Sequence, residues 1–564
     1  MSSVGDILKF DLEPNESVEI AYKLERFASK QESSSLSIEE VSKTFDLLKE
    51  EKDKVTNDKD YLSFSFKNGD SIDPSIFTKF LKEVLNQVDY CATAKNSSLT
   101  LLGVRDVFQA IEAAVYFEPK VMRNRVVDIM NYLDVSGRFP RQFAFKENGH
   151  DTIGLDNREF IDQAYWVFDA VYNYLAFTND YSILDEKAGY IEVVHPRLAR
   201  ISKEEDTVLD HLLRALNFLV SNIDSNTGCQ KTLYGDWNDA IDGLGMSQDP
   251  NVPFGNGVSI MATFQLYSTF KKINEILTTI NKHNDVVENN VDRLAKLTDA
   301  INKHAFVTKD GKSKILHGWG DNESFYVGSF NDIDGQDRDT LTSNSFYVIS
   351  GFYKENDKYL PSVFESYKRL DSKYGFKTFE PFFDADSRRV GRIVNLPKGT
   401  AENAATYIHS TTFAIDSLFV LRKGEWAWEQ IYKVLPFTHN SVTTTPFIMP
   451  NSYVYNPDID CDGESMNDWY TGSSNTLIKA LVRSGFGVRA DLDNLLVNPT
   501  NYFPFEESSV SIKVCNCNVK LTCKRGNGER KFLVNGKQVD EVENNGIRIA
   551  KNLLPDTLDI EVIQ

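Results

Sequence analysis

The sequence predicts a mainly α-helical chain, arranged as a closed ring of helical hairpins with shorter β segments at its two ends. Three observations carry this. From about residue 73 to 500, apolar residues recur at three- and four-residue steps, the period of helices with a broad buried face. Long loops rich in Gly, Pro, Asp and aromatic residues separate these segments, and no fixed-period repeat is present to build a solenoid. Near the start and after residue 500 the pattern changes to strict alternation of apolar and polar residues, the period of half-buried strands.

Taken in order, "SVEIAYKL" alternates at Val18, Ile20, Tyr22 and Leu24 and marks residues 1–28 as a β segment. Residues 29–92 read as a helical linker, polar and charged at first, with a helical period at Val41, Phe45 and Leu48. Residues 93–500 hold the main helical region. "DTVLDHLLRALNFLV", for example, places Val208, Leu209, Leu212, Leu213, Leu216 and Leu219 on one broad face. "EFIDQAYWVFDAVYNYLAF" and "TFAIDSLFVLRKGEWAWEQIYKVL" are apolar on more than one face, as inner helices are. Residues 501–564 return to alternation in "VSIKV", "VKLTC", "KFLVNGKQV", "GIRIA" and "LDIEVI", with Asn535-Gly536 as a tight hairpin turn, and predict a small β-sandwich.

Composition narrows the function classes. A net charge of −20 argues against nucleic acid, whose phosphates require a basic surface. No apolar run approaches the ~18 residues needed to span a bilayer, so no membrane partner is expected. The opening "MSSVGDILKFDLEP" lacks the basic and apolar regions of a secretory signal, which points to the cytoplasm. Six cysteines in 564 residues form neither a disulfide framework nor a paired zinc motif. The 37 Phe, 24 Tyr and 6 Trp suit both a large core and the flat faces of sugars.

Several motifs could carry chemistry. "TLYGDWNDAIDG" crowds Asp236, Asp239 and Asp242 around Trp237. Glycosidic bond cleavage needs a carboxylic acid kept protonated by an apolar or negative neighbourhood, and this loop could supply one; an acidic surface turn is the plain alternative. In "GVRDVFQAIE", Arg105 and Asp106 open an amphipathic helix and could clamp sugar hydroxyls, or Asp106 could simply favour the helix start. "NDWYTGSSNTLIKAL" places Thr471, Gly472, Ser473 and Ser474 before a helix, an arrangement that binds phosphate or merely caps. His409 and Glu402 lie together in "AENAATYIHSTTF". Asp458, Asp460, Asp462 and Gly463 match the first half of an EF-hand loop, although Trp469 stands where the bidentate glutamate belongs. Calcium at Asp458, Asp460 and Asp462 is the one metal alternative to a chain without cofactor.

Together these motifs resemble the cellobiose phosphorylase family, glycoside hydrolase family 94. The order is Arg-Asp entering a helix, Gly-Asp-Trp-Asn-Asp, Glu-Asn followed by His, then Asn-x-Trp-x-Thr-Gly before a helix, over roughly residues 95–500. The resemblance implies an (α/α)6 barrel as catalytic domain and inverting phosphorolysis of a β-glucoside by inorganic phosphate, giving α-glucose 1-phosphate. It implies that Asp239 is the general acid and Trp237 a wall of the donor-sugar site. Arg105 and Asp106 would hold that sugar, Asp162 in "FIDQAYW" is a looser match nearby, and Glu402 would contact the acceptor sugar. His409, Thr471 and Gly472 match the phosphate-binding positions, and Asp236 and Asp242 would position the loop.

The chain departs from the cellobiose pattern at Gln109-Ala110, where the family carries Gln-Asp, and at Asp162-Gln163, where it carries paired aspartates. The wording of the motifs is closer to the branch acting on β-1,2-linked glucooligosaccharides, which makes such a sugar the expected substrate with phosphate. The family's large N-terminal β-sandwich is represented at most by residues 1–28, so a partner chain or a homo-oligomer is expected to supply the missing wall. A hydrolase on the same ring, with Glu402 or another carboxylate as base, and a noncatalytic sugar-binding or partner subunit of a split phosphorylase are the alternatives.

Overall fold

The structure, a computed structural model, describes residues 13, 16–18, 37–47, 61–94, 101–145, 151–439, 445–467, 471–539 and 546–564. The chain divides into two compact units, Met1–Asp60 and Tyr61–Gln564. In the first, residues 38–47 are helical. Ser37 starts the helix reciprocally: Glu40 N donates to its hydroxyl at 3.2 Å while Ser37 N donates to the Glu40 carboxylate at 2.8 Å. The strand expected at Val18, Ile20, Tyr22 and Leu24 lies, beyond Val18, outside the described residues.

The second unit is mainly helical. Its α-helices among the described residues are α1 (Pro74–Thr93), α2 (Val104–Ala114), α3 (Pro119–Met130), α4 (Gln163–Thr178), α5 (Val208–Ser221), α6 (Ile260–Thr279), α7 (Asn284–His304), α8 (Leu341–Ile349), α9 (Leu360–Leu370), α10 (Ile408–Val420), α11 (Gly424–Val434) and α12 (Ser473–Ala480). The even-numbered helices contact one another in succession, and α12 returns to contact α2. Each odd-numbered helix from α1 to α11 packs against an even one next to it in sequence. Burial follows the same alternation. Every residue of α10 from Ile408 to Phe419 is buried, whereas α7 buries only Asn290, Leu297, Ala300 and Ile301. A helix apolar on all sides belongs inside, and one with a narrow stripe belongs outside.

Local chemistry fixes the helix starts. Asp73 accepts from Ile76 N, with Pro74 in the first turn of α1. Thr207 and Asp210 form a capping box at α5, and Ser259 caps α6. Short strands lead into several inner helices: Leu102–Gly103 precedes α2, Val258–Ser259 precedes α6, Asp339–Thr340 precedes α8 and Thr406–Tyr407 precedes α10.

The terminal β region corrects the predicted boundaries. Residues 29–92 are not one helical linker, because Leu62–Gly69 forms a strand that pairs antiparallel with Phe505–Val514. Its Leu62, Phe64 and Phe66 are buried while Ser63, Ser65 and Lys67 face outward, a period of two that "LSFSFKNG" carries plainly. That strand joins Phe505–Val514, Cys517–Lys524, Thr557–Ile563, Lys531–Val534 and Lys537–Val539 in one six-stranded sheet, so residues 501–564 do not stand alone. A second, three-stranded sheet begins before residue 501, with Val488–Ala490, Asn494–Val497 and Ile547–Ala550. Asn535 and Gly536 turn the expected hairpin with φ of 48° and 75°, as a tight two-residue turn requires. Among the described residues no helix is long and apolar enough to cross a membrane.

Candidate active site

The candidate residues lie at the starts of the even-numbered helices or in the loops that lead to them. Arg105 and Asp106 occupy the first turn of α2. The preceding Leu102–Gly103 strand pairs with Gln142–Phe143, which pairs in turn with Thr152–Asp156. This small sheet sets Arg105, Arg141 and Asp156 side by side, although the sequence reads the stretch from residue 136 to 158 as loop.

Asp239 is the hub. Arg105 Nη2 donates to its Oδ1 at 2.9 Å, and Arg141 Nη2 donates to its Oδ2. Arg105 also donates from Nη1 to Asp162 Oδ2 and to the Asp236 carbonyl, both at 3.1 Å. Asp162, at the cap of α4, is fully buried and accepts from Trp166 Nε1 and Gln163 Nε2, each at 3.0 Å. Arg141 in turn donates from Nη1 to Asp156 at 3.0 Å. Asp106 stands at the edge of the cluster, 4.0 Å from Arg105 Nε.

The charges divide the carboxyls into two kinds. Burial alone would raise the Asp239 pKa, but Arg105 and Arg141 outweigh it and hold that carboxylate at about 2. Burial raises Asp162 despite the same Arg105. Glu402 is also raised, first by burial and then by the negative charge of Asp239. The loop presenting Glu402 is strained: Ala401 and Ala404 have φ of 46° and 65°, where non-glycine residues are rare. Asn403 holds this loop by donating to the Phe383 and Leu396 carbonyls and accepting from Phe383 N.

Trp237 links the acid cluster to the second half of the site. Its buried indole lies edge-on to Tyr407 at 5.3 Å and to His409 at 5.1 Å between ring centres. His409, second residue of α10, is buried, and its Nε2 has no hydrogen-bond partner among the described residues. Burial, with Lys479 and Arg105, keeps the imidazole neutral, its pKa well below the usual value. The ring lies against Gly472, where a Cβ would stand 2.0 Å from His409 Cε1. Gly472 caps α12 without any side-chain bond, and Thr471 Oγ1 lies 2.8 Å from Ser473 Oγ and accepts from Ser473 N. His409, Thr471 and Gly472 thus present an imidazole, hydroxyls and the N-terminal amides of α12 at one place.

The other acids have different partners. Asp236 accepts from Asn238 N and from the Ser259 hydroxyl, and Asp242 accepts from Arg392 N at 2.8 Å. Both tie loops together. At the calcium alternative, Asp462 accepts from Asn456 N and Tyr374 and pairs with Lys373, and among the described residues no group of three or more His, Cys, Asp or Glu could hold a metal ion. Trp469 lies outside the described residues. Arg141 joins the candidate site through Asp239 and Asp156 and is not singled out in the sequence; its signal is an arginine in the aromatic loop "SGRFPRQFAF" with no helix to account for it.

Residues 88–487 match the profile of the glycosyl hydrolase 94 superfamily catalytic domain, and the chain belongs to this family. It is similar to a solabiose phosphorylase of Paenibacillus borealis, 24% identical over 81% of this chain and 56% of the relative. It is likewise similar to an N,N'-diacetylchitobiose phosphorylase of Vibrio furnissii, 24% identical over 78% of this chain and 55% of the relative. The chain thus spans about half the length of these curated relatives. In fold it is similar to a family 78 rhamnosidase of Bacillus sp. GL1, with a TM-score of 0.50 and 9% identity over 83% of this chain and 42% of that one.

Proposed function

We propose that the chain is an inverting glycoside phosphorylase, working on an (α/α)6 barrel made of the cycle of inner helices and their outer partners. The observation that carries this is the pairing of one arginine-held carboxylate, Asp239, with a separate anion-binding corner at His409, Thr471 and Gly472. An inverting hydrolase needs a second carboxylate, ionised, to activate water. Glu402, the candidate the sequence offers, has its pKa pushed upward by burial and by Asp239, so its ionised form is disfavoured beside that carboxylate. Phosphate is already an anionic nucleophile and requires donors instead. His409 Nε2, the Thr471 hydroxyl and the first amides of α12 supply them within an otherwise acidic chain.

In the breakdown direction phosphate attacks the anomeric carbon from the face opposite the leaving sugar, and Asp239 gives its proton to the glycosidic oxygen. The phosphate–carbon bond forms with inversion as the glycosidic bond breaks, giving α-glucose 1-phosphate from a β-glucoside. In synthesis Asp239 takes the proton of the acceptor hydroxyl, and its arginine-held ionised state suits that role directly. For breakdown the incoming sugar hydroxyls must draw Arg105 and Arg141 away, so that burial, no longer opposed, favours the protonated acid.

Trp237, Arg105, Asp106 and Asp162 form the donor-sugar side. The preference for a β-1,2-linked glucooligosaccharide rests on the wording of the motifs, and positions 110 and 163 speak against cellobiose. Ala110 offers no carboxylate, and the Gln163 amide is occupied by Arg105 N and Asp162. The share of the relatives' length that the chain leaves unmatched agrees with a partner chain or a second copy completing the sugar site. Cytoplasmic location fits a reaction that consumes phosphate and yields a sugar phosphate. The test is to incubate the protein with a panel of β-glucosides with and without phosphate: consumption should require phosphate and yield α-glucose 1-phosphate. Equal release of free glucose under both conditions would replace this reading with hydrolysis.

A further inference from the structure

A cavity of about 840 Å³ lies toward the other end of the inner helices, lined by the C-terminal parts of α2, α4, α8 and α10, the middle of α6 and residues that follow α12. In a chain of net charge −20, its wall carries six cationic side chains and only three acidic ones. The three acids are already engaged. Glu112 takes Lys479 and Arg483, Asp416 takes Arg483 and the Ser484 hydroxyl, and Asp169 takes Lys272. The Arg489 guanidinium and the Lys354 ammonium, by contrast, have no side-chain hydrogen bond or ion pair among the described residues, although their backbones are bonded. Both pKa values are lowered, first by desolvation and then by neighbouring cations: Arg483 acts on Arg489, and Arg489 and Lys271 act on Lys354, which is itself exposed to solvent.

Counter-charge here is sparse: Asp416 acts on Arg489, and Lys271 lies 3.7 Å from Glu355 and donates to the Tyr267 hydroxyl, so an anion would relieve the repulsion that remains. The backbone is also irregular here. Leu481–Gly485 winds as a π-helix directly after α12 and delivers Arg483 and Ser484 to the cavity wall. Tyr172, Tyr353 and Phe177 add flat apolar faces, and the volume falls within the range of small-molecule sites.

We propose that this cavity is a second ligand site, distinct from the candidate active site, which binds a small phosphate ester through Arg489, Lys354 and Lys271. The arginine fork takes two phosphate oxygens, and the lysines neutralise the remaining charge. Its wall shares α2 and α10 with the Arg105 and His409 site, at their opposite ends, and takes the residues just after α12.

Binding of glucose 6-phosphate to the full chain, followed by isothermal titration calorimetry, tests the proposal. The expected result is saturable binding that weakens roughly tenfold or more in an Arg489→Gln/Lys354→Gln variant and is unchanged in His409→Ala. With two mutually repelling cations gone, the double variant should unfold at the same temperature as the parent or higher in the absence of ligand. Binding lost in His409→Ala but kept in the double variant would overturn the proposal. So would no saturable binding in the millimolar range, or a double variant less stable than the parent.

Discussion

At Asp239 two arginines and burial oppose one another, and the arginines prevail. A carboxyl whose folded pKa is depressed contributes stability above its unfolded value, and that contribution is lost as pH falls toward about 2. The same depression sets an activity limb. In the synthetic direction the base must be ionised, so the acidic limb of kcat/KM due to Asp239 should lie below the usual carboxylate range. Replacing Arg141 with Gln removes one of the two opposing cations, so the limb should move to higher pH; an unmoved limb would mean that Arg141 does not govern this proton. Asp239, Trp237, Arg105 and His409, which lie together in the structure, stand out in the sequence through the order of motifs that resembles the family. Arg141 does not, because its partners Asp156 and Asp239 are brought to it by strand pairing between distant segments, which local spacing does not display.

At the level of elements, the corner formed by α10 and α12 depends on one missing side chain. Gly472 has φ of −75°, a conformation open to any residue, so its role is space and not backbone freedom. An alanine there would put its Cβ into the His409 ring. Gly472→Ala is expected to raise the KM for phosphate by roughly tenfold or more, as one donor to the anion is displaced, while the protein still folds. Steady-state kinetics with varied phosphate, alongside a melting curve, checks this. An unchanged KM would remove His409 from the phosphate corner. The long helices were legible because their apolar period runs over many residues. The two-residue strands that aim α2, α6, α8 and α10 were not, since no period can be read in two residues.

At the level of the whole molecule, the terminal sheet and the helical body share their packing. Phe66, on the strand Leu62–Gly69, lies with its ring centre 5.0 Å from Phe77 of α1, 4.6 Å from Phe505 and 6.2 Å from Phe486. This strand was missed because the polar run before it suggested a linker, and its pairing partner lies more than 400 residues away in sequence. Phe66→Ala should therefore cost about 3–5 kcal/mol of stability, measured by chemical denaturation. A loss below about 1 kcal/mol would show that the strand is an appendage rather than part of one core. The central claim, that Asp239 and a separate phosphate corner carry out glycosyl transfer to and from phosphate, concerns the assembled molecule. It is tested most directly by phosphate release from α-glucose 1-phosphate with a panel of glucosyl acceptors. The expected result is release that requires an acceptor, favours one forming a β-1,2 bond, and falls about 10²–10⁴-fold in Asp239→Asn. Release independent of any acceptor, or undiminished in Asp239→Asn, would contradict it.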